Sequence, residues 1–379
     1  MKFNIEKREI STLTTLVHRA SSSKNTIPSL SGLHISLSND SGLTMTATDM
    51  EIGIKASTSN VDIIEEGKVL VNANYFADLI KLLPDTLISF ELNQETSRLN
   101  ISYGRSSSRI NIFQEKEYPE LPIGKMEYLF SIPHDVLKEG LKKTSFAAAA
   151  NHFRQVFTGV LFDIIDGDTL KIIASDTHRL AYYTYTLEQK DLEPLKFVIP
   201  IRTVNELLRF LDDSSEKINI GFSENNVIFY QENFILLSRL IEGQYPNYET
   251  VIPSSFSTEI NIKTPVLASS LGRAKIMPTD DKFQIQHVQF ALMENEVQLN
   301  SFSESMGELS EVIDEIKIEG ERDIKIAFNT NYFLDAVKIF ESECDDIIIN
   351  LSGALSPALI KNPEKDNYLY VLVPMRTNN

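Results

Sequence analysis

The sequence of 379 residues predicts an α+β protein made of three copies of one domain, each with two helices laid on antiparallel sheets. Segments of one pattern recur at a nearly constant interval close to one third of the chain. Each recurrence couples a short alternating strand to a helical apolar period, and proline-rich joints fall between the blocks.

The opening segments are "FNIEKREISTLTTLV" from Phe3, "FSIPHDVLKEGLKKT" from Phe130 and "INIKTPVLASSLGRA" from Ile260. Each alternates briefly and then turns helical, as Ile10, Leu13, Val17 and Ala20 do in the first and Val136, Leu137, Gly140, Leu141 and Thr144 in the second. Extended stretches such as "GLTMTATDMEIGIKAS", "TLKIIASDTHRLAYYTYTL" and "EVQLNSFSESMGELSEVI" follow, joined by "NDSG", "IDGD" and "MENE", which suit hairpins. A second strand and helix then open each half-block: "VNANYFADLIKLL" from Val71, "IPIRTVNELLRFL" from Ile199 and "FNTNYFLDAVKIF" from Phe328. A helix with one apolar stripe must lie on a sheet, which gives the α+β arrangement. The joints "EYPELPIGKMEY" and "QYPNYETVIPSSF" fall at matching places in successive blocks, marked by Tyr118 and Tyr245. They set domains at 1–125, 126–253 and 254–379.

Composition bounds the function. No run of about eighteen apolar residues occurs and the start "MKFNIEKREI" lacks the apolar stretch of a signal peptide, so the expectation is a cytoplasmic protein without a membrane partner. The single cysteine, Cys344, sits in the acidic stretch "ESECDD" and reads as a plain free thiol. A net charge of −17 argues by itself against nucleic acid, but an average does not exclude a basic face.

Catalytic motifs are missing. Neither phosphate-binding loop, G-x-S-x-G nor H-E-x-x-H occurs, "SSSK" at 21–24 lacks its companion motifs, and the six histidines never pair at metal-ligand spacing. The stretch "ASDTHRLAYY" from Ala174 looks more like machinery. On residue chemistry, Asp176 and Arg179 pair with each other or with backbone while His178 caps or packs, and the alternatives are a binding surface or an acid–base pair. The first block carries "TATDMEIG" at the position that "IASDTHRL" holds in the second, which puts Asp49 in the place of Asp176. An acid shared by repeats reads as scaffold.

The threefold blocks together with "NTIPSLSGL" at 25–33, "SDTHRLA" at 175–181, "LIEGQYPNY" at 240–248 and "YVLVPMR" at 370–376 resemble the bacterial DNA polymerase III beta subunit family, the sliding clamps, over essentially the whole chain. The resemblance implies the DNA-clamp fold in each domain. It also implies a head-to-tail homodimer that closes a six-domain ring around duplex DNA without reading its sequence, with no catalysis, metal or cofactor. Twelve helices side by side at roughly 8 to 10 Å each make a circle of about 100 to 120 Å. Allowing about 10 Å of helix width leaves an opening of roughly 20 to 28 Å, room for a duplex. Basic residues on the inner face would then reconcile DNA with the acidic total.

Lys24, in the loop before "TIP", Arg19, Lys138, Lys142, Lys143, Arg154, Arg202 and Arg273 are the DNA-facing candidates, whereas Gln155 and Val156 depart from the paired tyrosines of some members. The resemblance further implies a pocket for short linear peptides of the replicative polymerase catalytic subunit, the clamp loader and repair proteins. It places Phe157, Ser175, Thr177, His178, Arg179, Leu180, Pro246, Thr250, Val251, Tyr332, Ser356, Val373, Pro374, Met375 and Arg376 there. Leu180, Pro246, Val251 and Met375 would form its apolar floor, with His178 and Arg179 as polar edges. The family often has Gly where this chain has Thr177, so either the turn does without positive φ or the pocket is shaped differently.

Ring closure is expected between Ile110 and Ile112 of one chain and Ile276 and Met277 of another, with Arg105 or Arg109 near Glu304 or Glu308. Pro374 cannot donate to a ladder, so the chain should leave its last sheet there and lay Met375 and Arg376 beside "SDTHRL". Two other classes remain open: a hydrolase or transferase using Asp176 and His178, and a binding module for proteins alone.

Overall fold

The computed structural model describes all residues except 23–26, 114–117, 125, 278–285, 304 and 377–379. They form two compact units, one of Met1–Lys138 with Arg202–Leu240 and the other of Glu139–Ile201 with Ile241–Asn379.

In the first unit a thirteen-stranded antiparallel sheet runs from Glu127–Pro133 at one end to Asp62–Glu65 at the other. Helix α1 (Lys7–Val17) buries Ile10, Leu13 and Val17, and the chain then tightens into a 3-10 turn, His18–Ala20, that keeps Ala20 buried. Helix α2 (Ala73–Leu82) packs beside it and buries Phe76 and Ile80. Asn72 caps α2 by accepting the Tyr75 N–H at 2.9 Å. The sheet continues from the first repeat into the second because Phe234–Arg239 pairs with Ile52–Thr58, from Phe234 opposite Ala56 to Ser238 opposite Ile52.

Helices α3 (His134–Thr144) and α4 (Ile201–Phe210) each have residues in both units. Gly140 of α3 lets the helix approach the strands beneath it, since a Cβ there would lie 2.7 Å from Ile172 and 2.8 Å from Tyr183.

The second unit holds a nine-stranded and a four-stranded antiparallel sheet with α5 (Thr264–Ala274) packed on α6 (Thr330–Glu341). Asn329 caps α6 through the N–H groups of Asn331 and Tyr332. Here too the sheet is continuous between repeats: Arg179–Thr186 pairs with Tyr368–Leu372, starting with Arg179 opposite Leu372. The described residues therefore carry two helices per repeat, as the recurring segments predicted. Each unit takes one terminal repeat and half of the central one because the sheet ladders run through the joints.

Candidate functional site

Asp176 closes a tight turn between strands Thr169–Ser175 and Arg179–Thr186. Its Oδ1 accepts the N–H groups of His178 and Arg179, both at 3.0 Å. The Ser175 hydroxyl donates to the Arg179 carbonyl at 2.7 Å and accepts the Thr177 N–H at 3.2 Å. The first repeat builds the same turn atom for atom: Asp49 Oδ1 accepts from Glu51 and Ile52, and Thr48 Oγ1 donates to the Ile52 carbonyl and accepts from Met50. An Asx turn used twice is a folding device, and neither acid is placed to abstract a proton from a ligand.

Thr177 has φ 78° and its counterpart Met50 φ 79°. The turn therefore keeps the left-handed conformation that glycine favours, and Thr177 occupies it under strain. Thr177→Gly should raise stability by about 0.5 to 1 kcal/mol, read as a shift in the urea unfolding midpoint. No shift, or a loss, would mean the strain is absent.

Arg179 requires a correction. Expected as a polar edge for a ligand, it is buried, donating from Nε to Asp176 at 3.0 Å, from Nη1 to Asp335 at 2.9 Å and from Nη2 to the Phe146 carbonyl at 2.6 Å. Its guanidinium carbon lies 4.1 Å from the centroid of the Tyr332 ring. With a bond from each of its three nitrogens and its side chain buried, it locks α6 to the turn rather than standing free at an edge. Ser175 is likewise buried in the turn.

Leu180 is only 3% exposed and packs in a core with Phe157, Tyr245, Tyr248 and Val371. It underlies the surface and is not itself open floor. Of the other candidates for this surface, Thr177, His178, Thr250, Val251 and Arg376 are exposed, and Pro246, Tyr332, Ser356, Val373, Pro374 and Met375 are half-buried. The last strand ends at Leu372, before Pro374, as expected. The tail then runs beside the turn: the Val373 N–H donates to the His178 carbonyl at 2.9 Å, and the Met375 N–H to the Ala327 carbonyl at 2.7 Å.

Five residues that the sequence did not single out hold the facing wall. The 3-10 turn Tyr248–Val251 is moored by the Tyr248 hydroxyl donating to buried Asp163 at 2.7 Å, and Asp163 also pairs with Lys196 at 2.8 Å. Lys171 pairs with Glu249 at 2.8 Å. Burial, reinforced by Asp163, pushes the Tyr248 phenol well above its usual pKa, so it remains a donor. The signal was present, an aspartate inside the apolar run "GVLFDII".

The basic candidates divide. Arg19, Lys142 and Arg154 are exposed and form no ion pair with a described carboxylate. Lys138 is half-buried and pairs with Asp213 at 2.9 Å. Arg202 bonds Asp49 and the Arg19 carbonyl, and Arg273 donates from Nε and Nη2 to the two carboxylate oxygens of Glu311 at 2.5 and 2.7 Å. Lys143 cannot face DNA: it is 3% exposed, between Glu139 at 2.5 Å and Glu343 at 2.6 Å and over the Tyr183 and Tyr368 rings. A buried ammonium neutralised by two carboxylates is a packing element. Lys24 lies outside the described residues.

Of the closure candidates, Arg105, Arg109 and Glu308 are exposed, Ile112 and Met277 are half-buried, and Glu304 lies outside the described residues. Ile276, at the end of α5, is 79% exposed. Ile110 is a second correction, since at 5% exposed it faces the core of the first unit. Its strand, Ser106–Phe113, pairs along its length with Arg98–Tyr103 but on the other side only at Ile112 and Phe113. In the second unit Gly307–Ile313 ends the four-stranded sheet, near exposed Phe302, Met306 and Val312. Open edges of this kind invite pairing with another chain.

Among the described residues no cluster of His, Cys, Asp or Glu is arranged to hold a metal, and no helix is long and apolar enough to cross a membrane.

Comparison with known proteins covers the whole chain. The family descriptions of the DNA polymerase III beta subunit match in order: the N-terminal domain at residues 1–122, the central domain at 131–247 and the C-terminal domain at 249–376. The beta sliding clamp of Halalkalibacterium halodurans is 33% identical over 371 residues, covering 95% of this chain and 96% of its own. That of Bacillus subtilis is 30% identical over 384 residues with full coverage of both. The crystal structure of the Bacillus subtilis sliding clamp superposes with a TM-score of 0.91 over 100% of this chain and 99% of that one. The beta chain of Streptococcus pneumoniae DNA polymerase III, 28% identical, gives 0.92 over 99% and 100%.

Proposed function

The chain belongs to the DNA polymerase III beta subunit family, the beta sliding clamps, and from that premise we propose how it works: as a cytoplasmic homodimer that encircles duplex DNA and tethers other proteins to it. It is a processivity factor with the three-domain clamp fold and a non-catalytic subunit, and the reading of Asp176 and His178 as an acid–base pair falls with the Asx turn. In closing the ring, the open edge of Ser106–Phe113 in one chain meets Gly307–Ile313 in the other, with Ile276 and Met277 alongside. DNA is held by Arg19, Lys142 and Arg154 through phosphates, without sequence preference.

Partners dock on the second unit. Short linear peptides of the replicative polymerase, the clamp loader and repair proteins lie between the Thr177–His178 turn, the Pro246–Val251 wall and the Val373–Arg376 tail. The observation that carries this reading is the convergence of those three segments over one apolar core that includes Leu180 and Phe157. Met375 suits a surface that meets several partners, because a thioether repacks readily.

Titration of a fluorescent polymerase-tail peptide tests it. Val251→Ala with Met375→Ala should weaken binding by at least roughly thirtyfold, a loss of about 2 kcal/mol. Because Leu180 is core, Leu180→Ala would add a stability cost of about 2 to 5 kcal/mol and is the poorer probe. Equal affinities for wild type and the double variant would place the peptide elsewhere.

A further inference from the structure

The middle repeat leaves open a strand edge that the other two repeats cover with their own chain. The opening strands of the three blocks are Lys2–Glu6, Glu127–Pro133 and Thr258–Lys263. Each has a sheet neighbour on one side, respectively Leu87–Asn93, Lys217–Ser223 and Asp346–Leu351. On the other side the first strand takes Asp62–Glu65 and the third takes Ile316–Gly320, both antiparallel. The second has no such neighbour among the described residues, and Glu127–Pro133 ends the thirteen-stranded sheet. Its Glu127 and Tyr128 are exposed, and Leu129, Ser131 and Pro133 are half-buried.

The segment that should cover this edge is used elsewhere. The interval that takes Asp49 to Asp176 takes Asp62 to Gln189 and Glu65 to Leu192. There the chain folds back on the turn before Thr169–Ser175: the Leu187 N–H donates to the Asp168 carbonyl at 2.7 Å, the Leu192 N–H to the Gly167 carbonyl at 2.9 Å, and the Lys190 ammonium to the Asp168 carboxylate. Asp191 has φ 60°, outside the extended region, so the stretch does not run as a strand. In the first repeat a side chain further on does this work, since the Asn39 N–H donates to Glu66 at 2.7 Å, and Asp62–Glu65 remains available to pair with Lys2–Glu6.

The two covered edges show what fits. In the third repeat Ile316, Lys317 and Ile318 lie opposite Ile262, Asn261 and Ile260. In the first, Asp62 and Ile63 lie opposite Asn4 and Phe3. The corresponding residues of the middle repeat are Ile132, Ser131 and Phe130. A cover therefore alternates charged residues with β-branched apolar ones, and the apolar ones lie on the face where the opening strand buries its own. Glu127–Pro133 has an irregular register between Tyr128 and Phe130. Lys2–Glu6 breaks register at the matching place, between Lys2 and Phe3, against the very strand that covers it, so such a break is compatible with a cover.

We propose that the open edge of Glu127–Pro133 accepts an extended segment of a partner protein as an added antiparallel strand, one in which a charged residue stands between two isoleucines or valines. The charged residue lies opposite Ser131 and the apolar pair opposite Ile132 and Phe130. Backbone groups of the edge supply the attraction, and the alternation sets the register. This edge is distinct from those assigned to ring closure and from the peptide surface on the second unit, and depends on neither.

The probe is the fluorescein-labelled octapeptide DEIKIEGE, the sequence of residues 314–321, titrated onto the full chain. Binding should saturate, and proline in place of the peptide's second isoleucine should weaken it about tenfold or more, because proline cannot donate to a ladder. Disulfide trapping in a Cys344→Ala background locates it. The peptide with cysteine for its lysine should couple to Ser131→Cys at least roughly tenfold faster than to Asn219→Cys, since Asn219 lies opposite Ser131 on the next strand inward and an added strand is about 5 Å from the first and about 10 Å from the second. Hydrogen exchange of the unsubstituted chain reads the same edge without any variant: amides of residues 127–132 should exchange more slowly with peptide bound. No saturable binding, equal coupling at the two cysteines, or unchanged exchange over 127–132 would overturn the proposal.

Discussion

Replacing Arg179 with alanine should lower the stability of the second unit by about 3 kcal/mol or more, although no chemistry depends on it. The guanidinium is bonded to Asp176, Asp335 and the Phe146 carbonyl and lies against the Tyr332 ring. Removing it leaves Asp176 partly buried without its cation, frees α6 from the turn, and opens a void, and losing one partner of a buried pair costs far more than the pair contributes net. The neighbouring His178→Ala, on an exposed side chain, should change stability by no more than about 0.5 kcal/mol. Urea unfolding of both variants separates the roles. If Arg179→Ala were as benign as His178→Ala, the guanidinium would be a surface group after all and could once more be offered to a ligand.

Charge placed at Ile276 and Met277 should convert the proposed dimer to monomer. Ile276, just past the end of α5, is 79% exposed. Phe302, Met306 and Val312 of the same unit are exposed apolar side chains as well. Ile276→Asp with Met277→Asp would bury two unpaired carboxylates at closure, raising the dimer dissociation constant by at least roughly a hundredfold, about 2.7 kcal/mol. Sedimentation at micromolar concentration reads this directly, and a dimer that survived would move the interface elsewhere. Ile110→Asp makes the contrast: at 5% exposed it should unfold the first unit rather than dissociate a dimer.

Periodicity carried most of the fold. Helices fell where a strand-to-helix change of period recurred from block to block, and the shared acid of "TATD" and "IASD" correctly read as scaffold. What failed was the assignment of individual side chains to surfaces. In "SRINIF" the alternation already puts Ile110 and Ile112 on the face opposite Arg109 and Asn111, so the core reading was available from parity alone. Lys143 stands one helical turn after the buried Gly140 on α3, and one neutralising partner, Glu139, is a turn away, but the other, Glu343, belongs to the third repeat, beyond any local pattern. Arg179 is the same case, since its partner Asp335 also comes from the third repeat. Local sequence determines which face a residue takes. It does not reveal which long-range partner will consume its charge.

A protein that encircles duplex DNA is linked to a circle and not to a line. The dimer is crosslinked shut on nicked circular DNA, gel-filtered at high salt, and then challenged with a single restriction cut. Protein that stays with the circle and leaves once it is linearised is the predicted result, because a linked ring needs no attractive contact to remain and slides off an open end. Equal co-elution with circular and linear DNA at that salt would mean ordinary binding to the surface, and the account of a ring around DNA would be wrong.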